Sequence, residues 1–341
     1  MKQYLEKLMN RENLTFQEMK DVAATSFESD ITESQLASLL TALRTKGETP
    51  EEIAGLAAVI RSQSSQTTDS LVNVMDNCGT GGDGSHSFNI STTAAFVLAG
   101  AGVTVAKHGN RSISSRTGSA DVLERLGVSL SFTKEHVEEI LAENNIAFLF
   151  APHVHPGMKR FMNVRKNLGI PTIFNLIGPL TNPVHLDTQL LGVYRRDMLP
   201  LLAETLHQLG RKRALVINGA AYMDEASLAG DNHITLLDNG NITSFTLHPH
   251  DVGLPVYPNE AIQGGNTEEN ATILHDVLNG KPGAYYDTVL LNAGLGLFAN
   301  GVAVSIQDGI AKAKESIDSG AAMEKLQRLV TYSNKISSEA I

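Results

Sequence analysis

Cys78-Gly-Thr-Gly-Gly-Asp-Gly-Ser-His-Ser-Phe-Asn-Ile-Ser-Thr92 is the stretch on which the reading of this chain turns. Gly79, Gly81, Gly82 and Gly84 surround a single acid, Asp83, and Asn89, Ser91 and Thr92 follow. An apolar run ending in Val74 and Met75 precedes it, and a helix-like run over 93–99 comes after. A strand, a glycine-rich loop and a helix start make a phosphate cradle. Glycines let backbone N–H groups approach an anion, and the helix N-terminus adds a favourable dipole. No Gly-Lys-Ser/Thr closes the loop, so it is not a Walker-type P-loop. Asp83 suits ribose hydroxyls, and Ser91 and Thr92 suit phosphate or a metal ion. A tight turn alone seldom needs four glycines beside Asp, Asn, Ser and Thr. By itself the loop does not separate a nucleotide ligand from a sugar phosphate.

Three further clusters narrow the choice. Lys107-His-Gly-Asn-Arg-Ser-Ile-Ser-Ser-Arg-Thr-Gly-Ser-Ala-Asp121 follows an apolar run over 103–106. Lys107, Arg111 and Arg116 stand there beside Ser112, Ser114, Ser115 and Ser119, and cations with hydroxyls on one loop suit a polyanion such as diphosphate. Asp224-Glu225 follows another apolar run, 214–217. Adjacent carboxylates are usually solvated surface, but beside a polyphosphate site they supply the oxygens that Mg²⁺ prefers. In Pro152-His-Val-His-Pro-Gly-Met-Lys-Arg-Phe-Met-Asn-Val-Arg165 no cysteine or acid completes a zinc site around His153 and His155. His155 reads as a pocket wall or hydrogen-bond donor. Arg165 reads equally as a carboxylate grip or as an ordinary surface arginine.

The first 65 or so residues carry helical periodicity only. Leu5, Leu8 and Met9 begin one stripe, Thr32-Glu-Ser-Gln35 forms a capping box, and Thr49-Pro-Glu-Glu52 opens another helix. The polar run 62–70 reads as a linker. Beyond it, expected strands at 72–75, 103–106, 146–150, 190–193, 214–217 and 242–247 alternate with helices at 121–126, 134–144, 198–209, 268–278 and 305–316. That order predicts an α/β fold with a central, mostly parallel sheet flanked by helices, and ligand loops at the C-terminal strand ends. Residues 162–183 look more like the helical N-terminal part than like a strand-helix unit. A net charge of -10 disfavours nucleic acid or an anionic membrane as partner. The single cysteine, Cys78, fits a reducing compartment, and the charged first residues lack the apolar core of a signal peptide. No run of about 20 apolar residues predicts a membrane span. A cytoplasmic protein is expected.

Together the motifs resemble those of the anthranilate phosphoribosyltransferase family. Gly79-Thr-Gly-Gly-Asp83, Asn89-Ile-Ser-Thr92, Lys107-His-Gly-Asn-Arg111, Ser114-Ser115 with Gly118-Ser-Ala-Asp121, His155-Pro-Gly-Met-Lys159, Asn175-Leu-Ile-Gly-Pro-Leu-Thr-Asn-Pro183 and Asp224-Glu225 stand in the family's order across most of the chain. Met75-Asp-Asn-Cys78 and Gly157 look like tolerated variation. The resemblance implies a small all-helical domain, residues 1–66 and 163–186, which forms a homodimer. It also implies a large α/β domain, residues 67–162 and 187–341, which binds phosphoribosyl pyrophosphate (PRPP) and two Mg²⁺ ions per monomer. It implies transfer of 5-phosphoribosyl to the amine of anthranilate, a step of tryptophan biosynthesis.

Carried onto this sequence, the resemblance assigns PRPP to Gly79, Gly82, Asp83, Ser87, Asn89, Ile90, Ser91 and Thr92. It adds Lys107, His108, Gly109, Asn110, Arg111, Ser112, Ile113, Ser114, Ser115 and Ser119. Anthranilate falls to Gly79, Asn110, Arg165, His108, His155 and Pro179, and the metal to Ser91, Asp224 and Glu225. No general base is assigned, because an aryl amine is already neutral near pH 7. Docking to an anthranilate synthase is not decidable from the sequence. A pyrimidine nucleoside phosphorylase, or a non-catalytic nucleic-acid-binding relative on the same fold, is the alternative reading.

Overall fold

Four helices come first in the computed structural model, which describes residues 1–65, 71–112 and 117–339. They are α1 (Lys2–Met9), α2 (Phe16–Ser26), α3 (Glu33–Lys46) and α4 (Pro50–Ser62). The caps expected at Thr32 and Thr49 are present, and Thr15 with Glu18 forms a third capping box at α2, a helix the sequence reading did not single out. Glu52 is fully buried and accepts from the Leu14 N–H, the Thr49 N–H and Lys46 Nζ, each at 2.9 Å. One carboxylate thus pins the start of α4 to the end of α3 and the approach to α2. Such a buried, fully bonded acid stabilises only while all its donors remain.

Strands and helices then alternate. The order is β1 (Val74–Gly79), α5 (Ile90–Gly100), β2 (Thr104–Gly109), α6 (Ser119–Arg125), α7 (Lys134–Asn144), β3 (Ile146–Phe150) and α8 (Ala151–Val154). Next come α9 (Lys159–Leu168), α10 (Phe174–Ile177), β4 (Thr188–Gly192), α11 (Leu199–Gln208), β5 (Arg213–Asn218), β6 (Asn232–Asp238) and β7 (Asn241–Leu247). Four helices finish the chain: α12 (Thr267–Leu278), α13 (Ala284–Asn300), α14 (Ile306–Asp318) and α15 (Ala321–Glu339). The sheet order is β3-β2-β1-β4-β5-β6-β7. Strands β1 to β5 pair in parallel, and β6 and β7 add an antiparallel edge. The expected mixed, mostly parallel α/β sheet beside an all-helical segment is what forms. Its order reverses between β1 and β4, which opens a crevice at the C-terminal strand ends.

Alternation of side chains along the strands separates two apolar layers. Leu190, Leu215 and Ile217 face the layer built with α5 and α13, while Leu191, Val193, Ala214 and Val216 face α11 and the N-terminal helices. Phe161 and Val164 of α9, and Phe174, Leu176 and Ile177 of α10, join that second layer, beside Leu36 and Leu40 of α3. None of the described helices is long and apolar enough to cross a membrane.

Two strand expectations need correction. β1 runs to Gly79 and β2 to Gly109, further than the expected 72–75 and 103–106. The ladder explains the extension: Asn77, Cys78 and Gly79 pair with Leu190, Leu191 and Gly192, and Lys107, His108 and Gly109 with Phe148, Leu149 and Phe150. Lys107 and His108 are therefore buried strand residues and not loop residues. Ile113, Ser114 and Ser115, expected at the PRPP site, and the neighbouring Arg116 lie outside the described residues, as does most of the expected linker.

Candidate functional site

The crevice is floored by glycines that lie flush against the two acids. A side chain on Gly79 would put its Cβ 2.2 Å from Asp224 Oδ2, and one on Gly192 would stand 1.6 Å from the Asp224 carbonyl oxygen. One on Gly219 would come within 2.2 Å of the Glu225 carbonyl oxygen. The ends of β1, β4 and β5 thus jointly seat the segment 224–225. Gly79, Gly81 and Gly84 have dinucleotide-loop spacing, yet Gly79 makes room here for a carboxylate.

Asp224 Oδ2 accepts from the Gly81 N–H at 2.6 Å, and the Asp224 N–H donates to Asp83 Oδ2 at 3.3 Å. Glu225 Oε1 accepts from the Ser91 N–H at 3.2 Å. Asn89, the N-cap of α5, makes no side-chain cap bond, so Glu225 provides a carboxylate at that helix N-terminus. Burial, and then the charges of Asp83 and Glu225, push the Asp224 carboxyl far above its ordinary range. Burial likewise lifts Glu225 to about 7, against the pull of Lys107. Among the described residues no three His, Cys, Asp or Glu side chains converge as a closed protein metal site. The arrangement is an open pair of neighbouring carboxylates, a donor set that could hold a hard cation.

The second loop is distributed differently from its sequence reading. Lys107 reaches beneath β1 and donates to the Asn77 carbonyl at 2.8 Å. Beside it, Asp76 is fully buried and accepts from Asn182 Nδ2 at 3.0 Å and from the His108 N–H at 3.3 Å. Arg111 is engaged by Asp121 and Glu124, both at 2.8 Å, which hold its guanidinium above its ordinary range. Ser112 N–H also meets Asp121 (3.3 Å), and Ser119 Oγ donates to the Asn110 carbonyl (3.1 Å). Gly109 is hemmed by Ser119 and Phe148. Along the first loop, Asp83 Oδ1 accepts from the Ser85 N–H (3.1 Å), Ser87 bridges to Gln263, and Gly82 lies over Tyr194. Thr92 is buried, and Ile90 sits in the apolar core with its N–H on the Phe88 carbonyl (2.8 Å).

On the other wall, His108 and His155 meet edge to face, ring centroids 5.4 Å apart. Burial holds both imidazoles neutral, at about 3 for His108 and about 4 for His155. His155 Nε2 lies 2.9 Å from the Thr181 carbonyl. Pro179 is pinned from below: Gln189 Nε2 donates to its carbonyl at 2.7 Å, and the fully buried Arg211 donates to Gln189 Oε1 at 3.1 Å. Arg165 lies over the Phe174 ring (5.4 Å) with Met162 Sδ at 3.4 Å, and burial lowers its pKa. A half-buried guanidinium with an aromatic face and a thioether beside it is unlike an ordinary surface arginine.

Family models place the chain. The glycosyl transferase family a/b domain matches residues 71–323, and the helical bundle domain of the same family matches residues 2–64. The anthranilate phosphoribosyltransferase of Listeria monocytogenes serovar 1/2a is 58% identical over 332 residues, covering 97% of this chain and 98% of the relative. That of Exiguobacterium sibiricum is 60% identical over 329 residues, 96% of this chain and 97% of the relative.

The chain belongs to the anthranilate phosphoribosyltransferase family.

Solved family structures agree with the fold. The Thermus thermophilus enzyme superposes with a TM-score of 0.92 at 41% identity, over 97% of this chain and 99% of that one. The Saccharomyces cerevisiae enzyme in complex with PRPP and Mg gives 0.89 at 30% identity, over 98% and 97%.

Against this family background, several residues around the crevice escaped the sequence reading. Gly192 closes a strand, and strand-end glycines where another backbone must approach are the available signal. Ala221 and Tyr222, just before Asp224, have left-handed φ values of 60° and 63°, where side chains are strained. Arg196 lies over the Tyr222 ring at 4.7 Å and donates from Nε to Asn218 Oδ1 at 2.9 Å. That clamp ties the turn to the end of β5.

Proposed function

We infer that this chain transfers the 5-phosphoribosyl group of PRPP to the amine of anthranilate, releasing diphosphate, as a step of tryptophan biosynthesis. The single observation that carries the reading is the seating of Asp224 and Glu225 on Gly79, Gly192 and Gly219, with α5 opening beside them. Family membership supports it.

PRPP is assigned to the first loop, Gly79, Gly82, Asp83, Ser87 and Asn89 to Thr92, and to Lys107 through Ser112 with Ser119. Ser91, Asp224 and Glu225 are assigned two Mg²⁺ ions, which fit the oxygen donors described above. Bound there, Mg²⁺ would neutralise charge on the leaving diphosphate. Lys107 and the loop N–H groups stabilise the same charge as the C1′–O bond breaks and C1′ develops oxocarbenium character. The anthranilate nitrogen forms the new bond to C1′. No side chain need take a proton first, since the aryl amine is neutral; the proton its nitrogen sheds after bonding to C1′ leaves with the diphosphate, because both nearby imidazoles are weak bases.

Anthranilate is assigned to the wall made by His108, His155, Pro179, Asn110 and Arg165, with Gly79 where the two substrates meet. Arg165 grips its carboxylate through the planar fork. Closure of α9 towards the PRPP loops would exclude the water that hydrolyses PRPP. Residues 1–66 and 163–186 act as one discontinuous helical domain, supported by the shared packing of α9 and α10 with the N-terminal helices. We assign to that domain the pairing of two copies into a homodimer.

The test is the decay of anthranilate fluorescence with PRPP and Mg²⁺, with and without chelator, on protein of measured mass. Chelator-sensitive decay is expected. Consumption of thymidine and phosphate instead, without Mg²⁺, would overturn the assignment.

A further inference from the structure

The start of α12 holds a buried amide that the chemistry above does not use. Asn270 is 3% exposed and stands in the first turns of the helix, where asparagine is a poor helix former. Its Oδ1 accepts from the Gly265 N–H at 2.8 Å, and its Nδ2 donates to Asn89 Oδ1 at 3.0 Å. Asn89 Nδ2 in turn donates to the Thr117 carbonyl at 3.3 Å, and Thr117 Oγ1 donates to the Gly265 carbonyl at 3.1 Å. The four residues close a ring of hydrogen bonds. Alongside it, the Gly264 N–H donates to the His86 carbonyl at 2.8 Å, and the Phe88 N–H to the Ile262 carbonyl at 3.1 Å.

The ring has one workable polarity. Gly265 N–H can only donate, so Oδ1 of Asn270 must face it. The Thr117 carbonyl can only accept, so Nδ2 of Asn89 must face that. The remaining joint between the two amides is then a donor meeting an acceptor. All members are neutral, so the ring is independent of pH and does not compete with the substrate's anions.

We propose that Asn270 is a positioning residue for PRPP. Through Asn89 and Thr117 it fixes the separation between the loop that follows β1 and the turn that opens α6, the two halves of the phosphate cradle. This rests on the PRPP reading above. Asn270 does not touch substrate and acts only through its neighbours.

Asn270→Asp keeps shape and the Gly265 bond but turns a donor into an acceptor. If Asn89 keeps its orientation, two acceptors meet at 270–89; if it flips, two acceptors meet at 89–117. Either way a buried joint is lost. Asn270→Asp should therefore lower kcat/KM for PRPP by about 10- to 100-fold, while the KM for anthranilate changes less than about two-fold. Thr117→Val opens the ring at another corner and should give the same selective defect. The double variant should be no worse than the poorer single, because an open ring cannot be opened twice.

Calorimetric titration of PRPP with Mg²⁺ into each variant reads the same effect without turnover. The weakened PRPP binding should appear there even if wild type proves inactive on anthranilate, an outcome that would sink the activity assignment alone. Equal losses toward both substrates, additive effects in the double variant, or unchanged PRPP binding would overturn the proposal. Circular dichroism checks that each variant is folded, and if Asn270→Asp is not, Thr117→Val alone decides.

Discussion

Replacing Glu225 by Gln should make the metal-free protein more stable, not less, above mildly acidic pH. Gln keeps an oxygen for the Ser91 N–H, so the cap on α5 survives while the charge goes. In the folded chain the Glu225 carboxyl sits at about 7 instead of 4.5, because burial, helped by the charge of Asp83, opposes its ionisation against the pull of Lys107 and the Ser91 hydrogen bond. A carboxyl raised on folding lends its full stability below the unfolded value and loses it as pH climbs through the folded one. The wild-type loss therefore develops between pH 4.5 and about 7 and levels off above. Moving the group that far corresponds to about 3 kcal/mol. Solvent reaching the half-buried side chain brings the expected difference to about 2 kcal/mol. Urea unfolding of wild type and Glu225→Gln in chelator, from pH 4.5 to 8.5, measures it. The two curves should start together and separate by about 2 kcal/mol by pH 7.5, the variant being more stable. Curves that stay parallel within about 0.5 kcal/mol, or a variant that is weaker at pH 8, would refute the burial penalty on the Glu225 charge and the case it makes for a cation site. The variant should at the same time lose Mg²⁺-dependent turnover.

Gly192→Ala should cost at least about 100-fold in kcat, because the Asp224 backbone has no room to yield; turnover assays on protein whose circular dichroism is unchanged check this. Arg165→Ala should raise the KM for anthranilate far more than that for PRPP, and equal effects would remove it as the carboxylate grip. Arg196→Ala should raise the Mg²⁺ concentration for half-maximal activity several-fold and lower stability by about 1 kcal/mol, since the left-handed turn loses its clamp. Adding Tyr222→Gly should restore most of that stability, because glycine takes φ near +63° without strain. A double variant weaker than Arg196→Ala shows that the turn carries no such strain.

The sequence showed the site's motifs more clearly than its elements. Gly79 to Thr92 and Asp224-Glu225 stood out as unusual residue types in tight spacing, and the structure brings the two segments together. α13 was not legible: it is buried on nearly every side, so it has no polar stripe to mark a period. Its Gly294 meets Gly309 of α14 so closely that an added Cβ would strike backbone, which reads in sequence only as glycines breaking a helix. β6 was missed although Asn239-Gly240, both with positive φ, is a hairpin signal in the sequence. Lys107 and His108 were misplaced on a loop because a lysine is seldom buried in a strand. Only the Asn77 carbonyl beneath it, thirty residues earlier in the chain, explains why it is. Asn270 had no local signal, since a bond to the nearby Gly265 marks nothing in the sequence and its other partner, Asn89, lies 181 residues away.

A rigid body is located by three points of support, and the segment carrying Asp224 and Glu225 has three: the bare strand ends at Gly79, Gly192 and Gly219. In an instrument this is a kinematic mount, which returns a part to one position without being forced there. The acids inherit the stiffness of the sheet, although they stand on a loop. Such a mount also separates what can be redesigned from what cannot. The exposed side chains of Ala221 and Tyr222 are where the seat can be adjusted, through the Arg196 clamp, whereas the buried Met223 carries the carbonyl that holds the Gly219 N–H. The three contact points have no tolerance, and adjustment of the site by engineering should begin at the turn and leave its supports alone.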